Sequence, residues 1–428
     1  MTYTGKSKFL EYTLTALLIV VPAFIVPLGG YNDHFYYPKF MMLVFFSIAL
    51  LLYVLINVHE IVQHYRPSRA DAFLLIYTIL MIVASLFAQD FMDALYGRAY
   101  RYTGLITHLM FVVLYFVAKL NGNLDKRSWV IVVSVAAILA FYGMLQHYGY
   151  DPIIRDDFRV GWNNAFSTFG NPNFAGSYYV MILPMSLYLV DQYGKKYLVL
   201  YAWILFSLLL SFSTAAWIGG FFSIALTLLW LVIREPKNSQ RLKMINQTTV
   251  ISVLVLVLFN VVTSNALLDE IGKTTGEGVE IVENGNENQS AGSGRIFIWT
   301  KTIVLISERP WLGYGVENMA EAFSRQFMDD MEDVFGYALT IDKAHNEYLQ
   351  VAVDSGLPSL FVYIIFLGFT LLENFRESLK NSSFIFILAA VLGYLLQALF
   401  SFSVISVSYL FWILLGFASS ARQRKKAI

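Results

Sequence analysis

Residues 248–263, TTVISVLVLVLFNVVT, run straight into residues 264–295, SNALLDEIGKTTGEGVEIVENGNENQSAGSGR. The first stretch has no charge and no helix breaker. The second is abruptly polar, rich in Gly, Asn and Glu. That boundary decides the fold, because apolar runs of the first kind recur along the whole chain. Each is long enough to cross a hydrocarbon core of about 30 Å. Only a helix satisfies its own N–H and C=O groups in lipid within one such run. The 428 residues are 57% hydrophobic and 14% charged, against about a quarter charged in soluble domains. The expected fold is an all-α polytopic membrane protein forming a single integral membrane domain over residues 1–428. One large loop, 264–356, lies between the ninth and tenth spans and contains short helices.

About twelve spans are expected, near 9–28, 39–58, 71–89, 103–120, 129–146, 174–191, 197–213, 214–233, 248–263, 357–373, 383–402 and 404–421. Lys6 and Lys8 precede a first span with no small-residue cleavage pattern after it, so it reads as a helix and not as a signal peptide. No further soluble domain is expected after the last span. Placing the N-terminus inside puts nineteen of the 30 Lys and Arg in short inside segments, as the positive-inside rule asks. Both termini are then cytoplasmic, in the plasma membrane. Four longer segments face outward: 29–38, 90–102, 147–173 and 264–356. Within the last, 274–293 reads as a mobile tip. Residues 295–307 repeat at helical period, with Ile296, Trp299, Ile303 and Ile306 on one stripe. Residues 318–331 and 343–353 also read as helical.

The candidate chemistry lies in these outward loops. Arg295 opens a helix after Ser-Gly, where free N–H groups and a guanidinium suit a diphosphate; a snorkelling interfacial Arg is the plain alternative. His345 precedes a short helix leading into the membrane. It is a general-base candidate because imidazole titrates near working pH, or else a capping or surface His. Asp342 and Glu347 lie beside it in sequence and are candidates to orient the ring. Arg98 and Arg101 in GRAYRYTG, and Arg155 and Arg159 in the next outward loop, are cations on the side where the orientation rule expects few. Asn171 and Asn173, in STFGNPN, form either a turn into the membrane or a cradle for a lipid phosphate. Tyr31, Tyr36, Tyr37, Trp162 and Trp311 are sugar-stacking or interface-belt aromatics.

Several classes are disfavoured. The chain has no cysteine, which removes thiolate catalysis and Cys-held metals. Its 6 histidines show no metal-ligand spacing, so no metal or cofactor is expected. There is no P-loop, and nothing points to nucleic acid. Ionisable residues inside the spans are few, which counts against an ion-coupled carrier.

GRAYRYTGL, STFGNPNFAG, SGRIFIWTKTIVLISERPWLGYG and AHNEYLQVAVDSGLPSL, in that order, resemble the O-antigen ligase / O-antigen polymerase superfamily over roughly residues 96–360. The resemblance implies a GT-C-like, all-helical fold and a metal-independent, inverting glycosyltransferase. Such an enzyme takes a glycan from undecaprenyl diphosphate at the outer face of the plasma membrane and passes it to a glycan, lipid or protein acceptor. It also implies that Arg295 and His345 are the key loop residues, with Arg101 and the GNPN asparagines, Asn171 and Asn173, at further recurrent positions. One place departs from the pattern. Many ligases carry a Ser-Arg pair before the middle hairpin, whereas this chain reads Ser211-Phe212-Ser213-Thr214, with no Arg. Either Arg155 or Arg159 substitutes for the missing cation, or this chain binds its donor differently. A repeat-unit polymerase remains an alternative, as does, in another class, a small-anion transporter or a non-catalytic partner.

Overall fold

The computed structural model describes residues 7–26, 33–153, 165–284, 294–337 and 340–420. Among them there is no strand, and seventeen α-helices follow one another along the chain. They are α1 Lys8–Ala23, α2 Tyr36–Ile56, α3 Val58–His64, α4 Arg69–Leu86, α5 Phe91–Tyr96, α6 Leu105–Asn121, α7 Lys126–His147, α8 Pro172–Tyr193 and α9 Leu198–Leu210. After these come α10 Thr214–Arg234, α11 Ser239–Val262, α12 Ala266–Asn284, α13 Arg295–Glu308, α14 Met319–Phe335, α15 Glu347–Ser378, α16 Ile385–Gln397 and α17 Ser408–Ala418.

Seven of the described helices, α2, α4, α7, α8, α10, α11 and α15, are long and apolar enough to cross a membrane; α6, α16 and α17 are apolar but shorter. The chain is thus a polytopic helical protein by length and composition. The expected twelve spans each coincide with a helix, but several of those helices are short of a full crossing. α9, for example, has 13 residues, about 20 Å at the rise of a helix.

Capping chemistry fixes many of the helix starts. Ser68 and Asp71 form a capping box on α4. Asp125, Asn171 and Asn346 cap α7, α8 and α15 through their side-chain oxygens, each satisfying N–H groups that have no partner within the helix. Pro172 follows Asn171 at the first helical position, where its missing N–H costs nothing.

The bundle has two distinct ends. At one, Lys119 in α6 meets Asp71 of α4 at 2.5 Å, Ser420 bonds to Gly122 O and Arg234 to Leu379 O. At the other lie the starts of α2, α6, α8 and α15. There Lys39, fully buried in α2, donates to Phe24 O at 2.9 Å and Thr168 O at 2.7 Å. Lys39 thereby pins the STFGNPN turn to the end of α1. The bundle interior therefore holds more charge than the sequence suggests, and it is compensated by partners distant in the chain.

The 264–356 loop builds a small core of its own. Phe297, Ile298, Leu305 and Ile306 of α13 pack with Met319, Phe323, Phe327 and Met331 of α14 and with Ala352 and Val353. Two sequence expectations need correction. The mobile tip is helical as far as Asn284, because α12 continues through Thr274; loop-like composition hid Leu268 and Ile271, one helical turn apart. Residues 285–293 lie outside the described residues. On α13 the buried face is Phe297, Ile298, Leu305 and Ile306; of the expected stripe Ile296, Trp299, Ile303 and Ile306, only Ile306 belongs to it. Ile303 is 55% exposed, and Val304, Trp311 and Leu312 continue that outward apolar edge. An isolated period cannot say which of two apolar faces a core will cover.

The loop ends where its sequence punctuation says. Gly356 is the non-helical break inside α15, at φ 85° and ψ 165°. A Cβ there would collide with the Trp311 carbonyl. The Pro310–Gly315 turn lies against this break. Tyr314 N donates to Val353 O, Gly315 N to Asp354 O and Leu357 N to Pro310 O, each at 2.8 Å.

Candidate functional site

Four separate segments converge at the loop end of the bundle: the turn between α5 and α6, the start of α8, residues 340–347, and the break between α16 and α17. Phe402 in that break joins them. Its ring lies edge-on to His345 at 5.2 Å and to Phe174 of the GNPNF motif at 5.8 Å. The Arg101 guanidinium sits 5.4 Å, and the Lys343 ammonium 6.0 Å, from its centroid, within reach of a cation–π attraction.

Arg101 is held by a two-bond fork to Asp342, Nε to Oδ2 at 2.6 Å and Nη2 to Oδ1 at 3.0 Å. Burial pushes the Asp342 carboxyl up, but the bonds and charge of Arg101 outweigh it, so Asp342 stays below the usual carboxylate range. Next to it, Lys343 donates to Glu317 Oε1 at 2.5 Å, and Thr103 donates to the same oxygen. This pair is closed off, with side-chain exposure of 4% for Lys343 and 0% for Glu317. Burial alone would lower the Lys343 ammonium; Glu317, Asp354 and Asp342 reverse that and raise it.

His345 is partly buried and its backbone lies in the left-handed region at φ 49°. Tyr100, Tyr102 and Glu317 share that region, at 66°, 52° and 63°. Non-glycine residues held there cost ~1–3 kcal/mol each and gather at functional sites. The imidazole is driven down to about 4, first by burial and then by the positive charges of Arg295, Arg101 and Lys343, against the opposing Asp342 carboxylate. The ring is therefore neutral at neutral pH, in cationic surroundings, and able to accept a proton.

Sequence-predicted residues fall into three sets. Arg295, Arg101 and His345 share this electrostatic neighbourhood. Asn171, Glu347 and Arg98 have local duties: Asn171 accepts from Asn173 N at 2.8 Å, and Glu347 accepts from Ser403 N and Oγ at 2.5 and 2.8 Å. Arg98 lies 3.9 Å from Asp93, and exposed Asn173 stands at the mouth of α8. Arg155 and Arg159, with Tyr31 and Trp162, lie outside the described residues. At the place of the absent Ser-Arg pair, Thr214 donates to Glu270 at 2.8 Å.

Sequence reading missed Phe402, Ser403, Glu317 and Lys343. Among the described residues no cluster of acids and histidines could hold a metal. A cavity of about 20 Å³ lined by Lys343, Glu347, Gln350 and Asp354 together with Tyr77, Met81 and Val351 has room for about one water.

A helical membrane protein with a cation-rich site around one neutral histidine at one end of its bundle is the class these features define. The model of the O-antigen ligase family matches residues 199–364, so that stretch of the chain is similar to O-antigen ligases. The matched stretch includes Arg295, Glu317, Lys343 and His345; Arg101, Asn171 and Phe402 lie outside it. No curated protein matches the chain. The family match supports a membrane glycan ligase or polymerase type of function.

Proposed function

We propose that the chain is an inverting, metal-independent glycosyltransferase that moves a glycan from undecaprenyl diphosphate to an acceptor at the outer face of the plasma membrane. The observation that carries this reading is the neutral His345 among Arg295, Arg101 and Lys343, inside the stretch matched by the O-antigen ligase family. The donor diphosphate settles against Arg295 and Arg101, which stabilise the charge that develops on the leaving group. His345 removes the proton of the acceptor hydroxyl as that oxygen attacks the anomeric carbon. The C–O bond to the diphosphate breaks, and its electrons leave with the phosphate. Arg98, Arg155, Arg159, Asn171 and Asn173 belong to the donor's approach in this scheme. Glu347 holds the segment that carries His345 by gripping Ser403.

Chromatography of lipid-linked glycans from a deletion strain tests the reading. Accumulated undecaprenyl-linked glycan is the expected result, with long chains marking a ligase and single units a polymerase. Wild-type glycan pools in the deletion would overturn it.

The pH dependence gives a second test. Because the folded His345 is lowered to about 4, kcat/KM, which reports the free enzyme, should hold through pH 6 and fall only as pH approaches 4. A bound diphosphate offsets the surrounding cations and raises the imidazole, so the acid limb of kcat should lie at higher pH. The same shift bears on stability. The unfolded chain takes the proton first, near 6.5, so the contribution present above that pH is lost as pH falls toward 4. Identical limbs for kcat and kcat/KM would contradict this placement of the diphosphate.

A further inference from the structure

The end of the bundle far from His345 has a cavity of about 330 Å³ between the last turn of α8, Gly194–Lys195 and the first turns of α11. α8 has 22 residues, so the cavity is about 33 Å from Asn171 along that helix. Its charged lining is Asp191, Lys195, Arg241 and Lys243. Arg241 is already engaged: Nε and Nη2 donate to the two Asp191 oxygens at 2.8 and 2.9 Å, and Nη1 donates to Glu235. Asp191 is therefore neutralised by Arg241. Lys195 and Lys243 have no acidic partner among the described residues, and they leave the cavity with surplus positive charge.

The face of α11 that lines this cavity also changes character along its length. Gln240, Lys243 and Gln247 line the cavity. The next residues at alternating spacings of three and four are Val250, Leu254, Val257 and Val261, which lie on the same face. All four are exposed, by 50, 61, 56 and 71%. One helix face thus passes from hydrogen-bonding groups and a free cation to bare hydrocarbon within a turn. A soluble anion would use only the first part; a lipid uses both. Basic pockets between spans are suited to anionic headgroups.

We propose that this cavity binds the phosphate-bearing headgroup of an anionic membrane lipid, whose acyl chains lie along the exposed apolar face of α11. The purified full-length protein in neutral detergent is titrated with phosphatidylglycerol, phosphatidylcholine and inorganic phosphate, with binding read by native mass spectrometry and the thermal midpoint. Phosphatidylglycerol should bind and stabilise at concentrations where the other two do not. Lys195→Gln and Lys243→Gln should each weaken it about fivefold, the ~1 kcal/mol a cation contributes near an anionic lipid surface. Both lysines are exposed, so lipid-free stability should be unchanged. Lys237→Gln, outside the cavity, should leave affinity unaltered. Equal affinity for phosphatidylcholine, equal stabilisation by inorganic phosphate, or wild-type affinity in the double variant would overturn the proposal. None of these readouts depends on glycan transfer.

Discussion

Replacing His345 by Ala is expected to lower glycan transfer by about a hundredfold to ten-thousandfold, the range for loss of a positioned general base. Protein abundance in the membrane should stay close to wild type, because the ring is partly open and its packing contact is one edge of Phe402. The backbone at 345 supplies a control. Its left-handed φ of 49° suits Asn better than Ala, so His345→Asn removes the imidazole with less strain. Both variants should be equally inactive in a transfer assay with purified protein. An active Asn variant would show that the conformation of the turn, and not the imidazole, is what transfer needs.

Lys343→Met should be the most damaging single change to the fold near the site. It leaves Glu317, 1% exposed, buried without its cation. Breaking a buried pair from one side costs about 3–5 kcal/mol, whereas replacing both members by apolar residues is often neutral. Lys343→Met alone should therefore sharply reduce folded protein and the thermal midpoint in detergent, and Glu317→Leu with Lys343→Met should recover both. Transfer should recover less than stability does. Lys343 is one of three cations around His345, and its loss weakens the field that meets the donor. A double variant as unstable as the single one would mean that the pair is not what holds this segment.

Local chemistry explains which features were legible in the sequence. Gly356 announced the end of the loop because a Gly-Leu-Pro break cannot continue a helix. The three motifs that meet around Phe402, GRAYRYTG, STFGNPNF and AHNEYLQ, were recognised individually because each is a short run with its own turn or cap. Partnerships across the chain were not legible. Arg101 finds Asp342 across 241 positions, and Lys39 reaches Thr168 across 129; no spacing rule joins residues so far apart. Phe402 was hidden differently. Residues 383–421 read as two apolar spans almost in contact, and an apolar ring between them carries no sequence mark of its role as the centre of a polar site. The missing Ser-Arg pair was legible as an absence, but its expected replacements lie outside the described residues.

The outward apolar edge of the loop, where Ile303 is 55% and Trp311 75% exposed, bears on how the donor is supplied. On the proposed reading, a loop with such a margin lies at the boundary of water and hydrocarbon. Lifting a lipid tail out of that hydrocarbon costs ~0.8 kcal/mol per methylene, a prohibitive sum for a polyprenyl chain. On the proposed reading the carrier never makes that climb. It drifts in sideways, tail submerged, and docks like a boat at a quay, so the rate of supply is set by two-dimensional diffusion in the leaflet and not by capture from solution.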